Sequence, residues 1–292
     1  MVIDDSLPEG FYPSIQRAAG QSSKFYQRVH YSLLLINLSL LVVAAILSKF
    51  KIQFIDFGYN QTILLALGFV ILIYLGVSKP ERIWYSKRSL SETIKTLSWR
   101  YCCVSAPFGG SEPIDSALFS ERIRESCLES HALDRLSSSS SLLVSPTKEM
   151  LRVRQLSLEE KVTFYTSCRV RGQLKWYLMK ARRNKIIHCC LFVLLCLFSI
   201  LSVVLSFLKE FQSGVDMPTD VVIALSSSLI AWMQSKKYVE LNAAYEMTAY
   251  EIESAKNMVH SISNFSEFER YVDEMENLFS REHTQWIAKR SS

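Results

Sequence analysis

Three consecutive serines lie at the middle of a long apolar stretch, residues 220–237, which reads DVVIALSSSLIAWMQSKK. In a helix that turns about 100° per residue, small and polar side chains of this stretch share one face and large apolar ones share the opposite face. Such a polar face either allows close packing between membrane helices or lines a water-filled path, where an acidic residue at the mouth favours cations. The candidates for these two roles are Asp220, Ala224, Ser227, Ser228, Ala231 and Gln234.

Residues that could support catalysis or bind a metal ion form no recognisable pattern. The five histidines are scattered, and the sequence contains no HExxH, GxSxG, GxxxxGK or GxGxxG motif. The adjacent Glu282 and His283 could transfer protons, but no second group accompanies them, which favours a packing role. The seven cysteines include no CxxC pair, which argues against zinc and against a disulfide framework. We therefore expect no enzyme activity, no metal and no cofactor.

Four apolar runs are long enough to cross the roughly 30 Å hydrocarbon layer as helices. They cover residues 31–47, 62–77, 188–208 and 217–234. The gap inside each pair is short and the gap between the pairs is long, so the runs predict two hairpins. The expected fold is an all-α integral membrane protein with four transmembrane helices in two hairpins, whose long helices extend into a cytosolic helical bundle.

The distribution of basic residues predicts the orientation of these hairpins. Fifteen lysines and arginines lie close to the spans on the side of the termini and the middle segment, whereas the hairpin tips hold only Lys49, Lys51 and Lys209. The positive-inside rule therefore predicts a multi-pass protein of the inner (plasma) membrane with both termini in the cytoplasm. The net charge is +5, but the lysines and arginines concentrate beside the spans, where topology and anionic lipid explain them, and we expect no nucleic-acid partner.

Hydrophobic spacing predicts that the cytosolic parts are helices continuing the spans. Ile83, Leu90, Ile94, Leu97 and Tyr101 form one stripe after the second span, and Ser157 with Glu160 forms a capping box that opens a helix running into the third span. A seam on that helix includes Tyr165, Trp176 and Met179. Ser266 with Glu269 is predicted to cap the last helix.

The fourth span is predicted to continue without a break from Pro218 to about Ile262. Apolar residues recur there at alternating steps of four and three, the spacing of a helix that packs on other helices. We expect this stripe to hold subunits of a homo-oligomer together. Its seam candidates are Leu241, Tyr245, Ile252, Val259 and Ile262.

Composition divides the chain into four segments. Residues 1–23 carry little pattern and are expected to be weakly structured, and residues 24–135 contain the first hairpin with its cytosolic helices. The serine-rich residues 136–156 are expected to be a linker. Residues 157–290 contain the second hairpin, its cytosolic helices and a C-terminal helical hairpin.

Four blocks of sequence resemble the signatures of SLATT-domain proteins. They are RIWYSKRSLSETIKTLSWRYCCVSAPFG, CRVRGQLKWYLMKARRNK, AWMQSKKYVELNAAYEMTAYEIE and FSREHTQWIAKR. The blocks occur in order, each beside a two-span hairpin, and the resemblance covers about residues 24–290 as two domains in tandem. SLATT domains are membrane domains associated with SMODS nucleotidyltransferases and SLOG sensors in bacterial conflict systems.

The resemblance implies a membrane effector of an anti-phage defence system. Family members are thought to permeabilise the inner membrane when a partner detects phage or produces a nucleotide signal. Possible partners are a sensor, a nucleotidyltransferase or another defence protein, in addition to the lipid bilayer and further copies of the chain. The alternatives are a membrane-anchored scaffold or interaction protein without pore activity and, less favoured, a constitutive transporter.

Overall fold

The structure of the protein, a computed structural model, describes residues 7–8, 10–50, 57–130, 144–211 and 217–291, without the side chains of 57–59 and 281–291. Every regular element in these residues is helical, which confirms the all-α prediction for the described part. The α-helices are α1 (Ser14–Lys49), α2 (Phe57–Ser78), α3 (Pro80–Cys103), α4 (Glu112–Glu129), α5 (Lys148–Arg154), α6 (Leu158–Phe164), α7 (Arg171–Phe211), α8 (Thr219–Lys236), α9 (Tyr238–Lys256) and α10 (Phe265–Ser291). A π-helix (Tyr165–Val170) joins α6 to α7, and a 3₁₀-helix (Asn257–Ser261) follows α9.

Three helical stretches of the described chain are long and apolar enough to cross a membrane. They are Ser14–Lys49, Asn60–Ser78 and Leu158–Phe211, and they contain the first three predicted spans. The fourth predicted span falls largely on α8, which is not among the three. Its serines, together with Asp220 and Lys236, lower its hydropathy.

The chain separates into two compact units, each assembled from distant parts of the sequence. Unit 1 contains Met1–Tyr26, Arg82–Ala181 and Ala243–Ser292. Unit 2 contains Gln27–Glu81 and Arg182–Asn242, and therefore most of the apolar helices. The long helices α1 and α7 each contribute to both units.

Unit 1 is built around α3, whose side chains are buried on several sides. Leu90, Ile94 and Tyr101 are buried as the stripe predicted. Trp99, which is fully buried, lies 5.6 Å from the ring of Tyr165 between ring centroids. Aromatic pairs at this separation add about 0.5 to 1.5 kcal/mol to the burial of their surface. The helix after the second hairpin helix is therefore the core of unit 1.

The N-terminal residues are more ordered than the composition predicts, because α1 begins at Ser14 within the segment expected to be weakly structured. Phe11 is buried and its ring lies 5.0 Å from that of Trp99. Gln16 is also buried, and its Nε2 donates to Ser91 Oγ at 3.0 Å. This segment is ordered by contacts with residues distant in the sequence, and such contacts cannot be predicted from local periodicity.

The serine-rich region is described only in part, since residues 131–143 lie outside the described residues. In the remainder of the predicted linker, Lys148–Arg154 form α5. The Thr147 hydroxyl accepts from the Met150 N–H as the N-cap of α5 and donates to the Phe11 carbonyl at 2.8 Å. A capping threonine that also bonds to a distant carbonyl fixes the start of α5 on the core of unit 1.

One predicted capping box is confirmed and the other is wrong. The Ser157 hydroxyl accepts from the Glu160 N–H, and the Glu160 carboxylate accepts from the Ser157 N–H at 2.9 Å. The last helix begins earlier than Ser266 predicts. Its cap is the Asn264 side chain, which accepts from the Glu267 N–H at 3.0 Å. Asn and Ser are comparable caps, so the sequence around residue 264 allows both starts.

The expected continuous helix from Pro218 to about Ile262 is also wrong. It ends at Lys236, and Lys237 has a left-handed backbone with φ of 50° before α9 begins. A second break follows at the 3₁₀-helix Asn257–Ser261. Residues 219–256 contain neither glycine nor proline, so the break at Lys237 has no local signal.

The π-helix changes the register of the predicted seam on the helix that enters the third span. Tyr165 is buried as predicted, whereas Met179 is 56% exposed and Tyr177 and Ala181 are buried in its place. A π-turn closes its hydrogen bonds over five residues and so adds one residue to the turn. The buried face therefore moves along the sequence after residue 170.

Candidate functional site

Part of the predicted polar face of α8 is exposed on the single chain. Five residues of α8 are exposed and follow one another at steps of three and four; this set, called the α8 stripe, is Asp220, Ile223, Ser227, Ile230 and Gln234. A step of three and a half residues on average keeps such a line on one side of a helix. Three of the six predicted residues, Asp220, Ser227 and Gln234, are therefore brought together on the stripe.

The other three predicted residues, Ala224, Ser228 and Ala231, are half-buried. Val221 and Val222 are buried within the chain. The helix thus directs Val221 and Val222 toward its own chain, whereas the α8 stripe, which combines three polar residues with Ile223 and Ile230, is directed away from it. A polar stripe directed at hydrocarbon is unfavourable unless another surface or water covers it.

The hydroxyl groups of the serines differ in their partners. The Ser226 hydroxyl donates to the Val222 carbonyl at 2.9 Å, and Ser199 on α7 donates to the Leu195 carbonyl at 2.9 Å. Such bonds to the preceding turn satisfy a hydroxyl inside a membrane. Within the part of the chain that the structure describes, the Ser227 hydroxyl has no hydrogen-bond partner. Ser227 is therefore available to another chain or to water.

A polar residue that the sequence reasoning missed lies in the first hairpin. Asn37 on α1 is only 4% exposed, and among the described residues its Oδ1 has no hydrogen-bond partner. This oxygen lies 3.0 Å from the position that a Cβ would occupy at Gly68 of α2. Gly68 therefore permits the close approach of α1 and α2. The signal was an asparagine inside an apolar run, which is uncommon in a membrane helix.

The end of α8 is held by an aromatic contact with α1. Lys236 Nζ lies 3.1 Å from the centroid of the Tyr31 ring and 4.8 Å from that of the Trp232 ring. The two rings are 5.9 Å apart at an angle of 65°. A lysine ammonium over aromatic faces contributes about 0.5 to 2 kcal/mol, depending on its desolvation. Within unit 2, α8 is therefore attached to α1 at its last turn.

The predicted oligomer seam is largely used for packing within the chain. Ile252 and Tyr245 are buried, and the Tyr245 ring lies 5.5 Å from the Trp176 ring and 5.8 Å from the Tyr177 ring. Leu241, Val259 and Ile262 are half-buried. Packing of α9 on α7 already accounts for the periodicity, and contact between subunits along this seam stays a prediction.

A buried ion pair at the π-helix was not predicted. Arg169 is 3% exposed, and its Nε and Nη2 donate to the Glu276 carboxylate at 2.9 and 2.7 Å. Glu276 is fully buried and also accepts from the Tyr165 and Thr96 hydroxyls at 3.0 and 2.9 Å. Its signal was a charged residue within the apolar face of α10, since Val272, Met275 and Phe279 are buried beside it.

Burial and the ion pair change the pKa values of several side chains in this region. Burial alone would lower the pKa of Arg169, but the Glu276 carboxylate raises it overall, so the guanidinium is charged at neutral pH. Burial raises the pKa of the Tyr165 hydroxyl and of the Cys102 and Cys103 thiols. The two thiols are therefore neutral and poorly nucleophilic in the folded chain. No group of three or more possible metal ligands occurs among the described residues.

Three helical stretches apolar enough to cross a membrane, together with the more polar helices beside them, indicate a membrane protein. Residues 13–162 match the family model described as "SMODS and SLOG-associating 2TM effector domain 3", and residues 165–286 match that of "SMODS and SLOG-associating 2TM effector domain 1". The chain belongs to the SLATT family and contains two SLATT domains in tandem. No curated protein and no solved structure matches the chain.

The two SLATT domains are not the two compact units. The first domain contributes α3 and α4 to unit 1 and α2 to unit 2, and the second contributes α10 to unit 1 and α8 to unit 2. Within unit 1 the domains meet at the hydrogen bond between Thr96 and Glu276 and at the ion pair between Arg100 and Asp273, where Nη2 and Oδ1 are 2.6 Å apart.

Proposed function

We propose that the protein is a membrane effector of an anti-phage defence system that oligomerises and permeabilises the inner membrane when a partner or signal triggers it. The α8 stripe carries this proposal. It places Asp220, Ser227 and Gln234 on the outside of one chain, alternating with the exposed Ile223 and Ile230, on a helix that buries Val221 and Val222 within the chain. Several copies of the stripe facing one another would surround a polar path.

The family supports the topology that this function needs. Two domains described as two-transmembrane effectors support four spans, with α8 as the fourth. The asymmetry of lysines and arginines supports both termini in the cytoplasm. The family description also supports a nucleotidyltransferase, a sensor or another defence protein as the partner that supplies the trigger.

A membrane-anchored scaffold is the second candidate function. The contact between Lys236 and Tyr31 and the packing of α9 on α7 would serve a scaffold equally well. A scaffold requires no polar path, so the α8 stripe would then be a surface on which another membrane helix packs.

The double variant Ser227→Leu with Ser228→Leu tests the pore. Leucine is favourable in a bilayer but closes a narrow polar path by excluding water. We expect ion and dye leakage from liposomes, and toxicity in cells, to fall at least tenfold while insertion and oligomer size stay unchanged. The matched control is Ser199→Leu, because the hydroxyl of this exposed serine is satisfied within its own helix.

The size of the assembly distinguishes the two functions. If leakage and oligomer size fall together, the bulky leucines have separated packed helices, and the face serves packing as in a scaffold. Full leakage in the double variant would reject the α8 stripe as the path.

A further inference from the structure

Each SLATT domain has a lysine with left-handed backbone at the same place, directly after the second helix of its hairpin. Lys79 (φ 41°) separates α2 from α3, and Lys237 (φ 50°) separates α8 from α9. A residue with a Cβ rarely adopts this conformation, because the Cβ approaches the following carbonyl oxygen. The two domains therefore leave their hairpins through equivalent, strained junctions.

The residue that follows each lysine makes the junctions unequal. Pro80 follows Lys79; a proline lacks the N–H of a continuing helix and disfavours helical backbone in the residue before it. Tyr238 follows Lys237 and imposes no such restriction. The first junction is thus fixed by the local sequence, whereas the local sequence of the second favours one continuous helix.

Packing within unit 2 fixes the last turn of α8, directly before the second junction. Lys236, the residue before the junction, lies with its Nζ 3.1 Å from the centroid of the Tyr31 ring on α1. The Lys237 N–H donates to the Met233 carbonyl and the Leu241 N–H donates to the Lys237 carbonyl, both at 3.0 Å and both in the helical i→i−4 pattern. Between them, among the described residues, no backbone hydrogen bond joins the amides of 238–240 to the carbonyls of 234–236. The local sequence favours a continuous helix here, whereas the folded chain has a break beside a contact with α1. Such a junction can adopt two alternative conformations.

We propose that Lys237 is the hinge through which the effector is switched. In the bent form α8 ends at Lys236; in the alternative form α8 and α9 join into one helix, the α8 stripe turns with it, and the membrane becomes permeable. The junction at Lys79 does not change. This inference rests on the proposed function, because it names the conformational step that regulates the α8 stripe.

A series of substitutions at position 237 tests the hinge. Glycine tolerates left-handed backbone best, asparagine comes next, and a β-branched residue tolerates it least. We expect Lys237→Gly to raise the ratio of bent to joined molecules about 5- to 30-fold, and Lys237→Ile to lower it. Leakage is expected to be lowest for glycine and highest for isoleucine, with asparagine and lysine between them.

Hydrogen exchange gives a readout that does not depend on leakage. The amides of residues 238–240 lie in the first turn of α9, where a helix has no acceptor for its N–H groups, and they gain acceptors at residues 234–236 when the helices join. Exchange of these amides is expected to slow in the order Gly, Asn, Lys, Ile. Tyr31→Leu, which removes the ring under Lys236, should slow exchange as well, whereas Tyr31→Phe should not.

The same series at Lys79 is the matched control, because Pro80 allows only one form there. Exchange at 81–83 and leakage should not change along it. Equal exchange at 238–240 in all four position-237 proteins would overturn the hinge, and an equal response at Lys79 would overturn the asymmetry of the junctions. An ordered exchange series with unchanged leakage supports the hinge and contradicts the pore.

Discussion

Glu276 links several buried polar groups of unit 1. It accepts hydrogen bonds from Arg169, Tyr165 and Thr96 and is fully buried. Replacing both members of a buried ion pair by well-packed apolar residues can leave stability unchanged. Removing only one member leaves the other as an unpaired buried charge, which is strongly destabilising. The network therefore makes each of its members sensitive to substitution of the others.

The substitution Glu276→Gln is expected to destabilise the protein by about 3 to 5 kcal/mol, because it leaves the Arg169 guanidinium buried beside a neutral group. The measurement is thermal or denaturant unfolding of the detergent-solubilised chain, followed by tryptophan fluorescence. Glu274→Gln on the same helix is the control, since Glu274 is only half-buried and should change stability by less than about 0.5 kcal/mol. Equal stabilities of the two variants would contradict the role given to the ion pair.

At the scale of the element, α9 presents two faces that can be compared directly. Its buried face contains Tyr245, Thr248 and Ile252, and its exposed face contains Met247 and Tyr250, which are 58% and 70% exposed. The heptad spacing alone did not say whether the first face packs within a chain or between chains. The burial of Ile252 in a single chain favours the former.

We expect Ile252→Ala to lower the stability of each chain by about 2 to 5 kcal/mol, the usual cost of such a cavity. Tyr250→Ala should leave stability nearly unchanged, and its effect on oligomer size reports whether the exposed face joins subunits. Unfolding and oligomer size would be measured on the same samples. A smaller oligomer with unchanged chain stability in Ile252→Ala would place the seam between subunits after all.

At the scale of the whole molecule, the two SLATT domains share the core of unit 1, and we expect each to need the other to fold. Trp99 of the first domain packs on Tyr165 of the second, and Thr96 bonds to Glu276. If the chain is expressed as two fragments, residues 1–138 and 139–292, we expect them to copurify in equal amounts. Trp99→Ala in the first fragment should weaken their association, because it removes a fully buried ring. Independent purification of two folded fragments would contradict this interdependence.

The elements that the sequence predicted are those with strong local signals. Apolar runs located the first three spans, and Ser157 with Glu160 located a helix start. The features it missed depend on distant partners: Gln16 is ordered by Ser91, and the π-helix supplies two groups that bond to Glu276. Likewise, helical spacing predicts the six residues of the polar face, but only packing within unit 2 determines that Asp220, Ser227 and Gln234 face outward.

The proline after Lys79 determines what proportion of the hairpins could change conformation in any closed ring of these chains. Because each chain supplies one hairpin with a prolyl junction and one without it, a ring of whole chains always contains an even number of hairpins, half of each kind. Conformational change would then occur in every chain but in only half of the hairpins. The tandem order of the two domains in one chain would fix this proportion, and the prolyl hairpins would form a constant frame within which the others move.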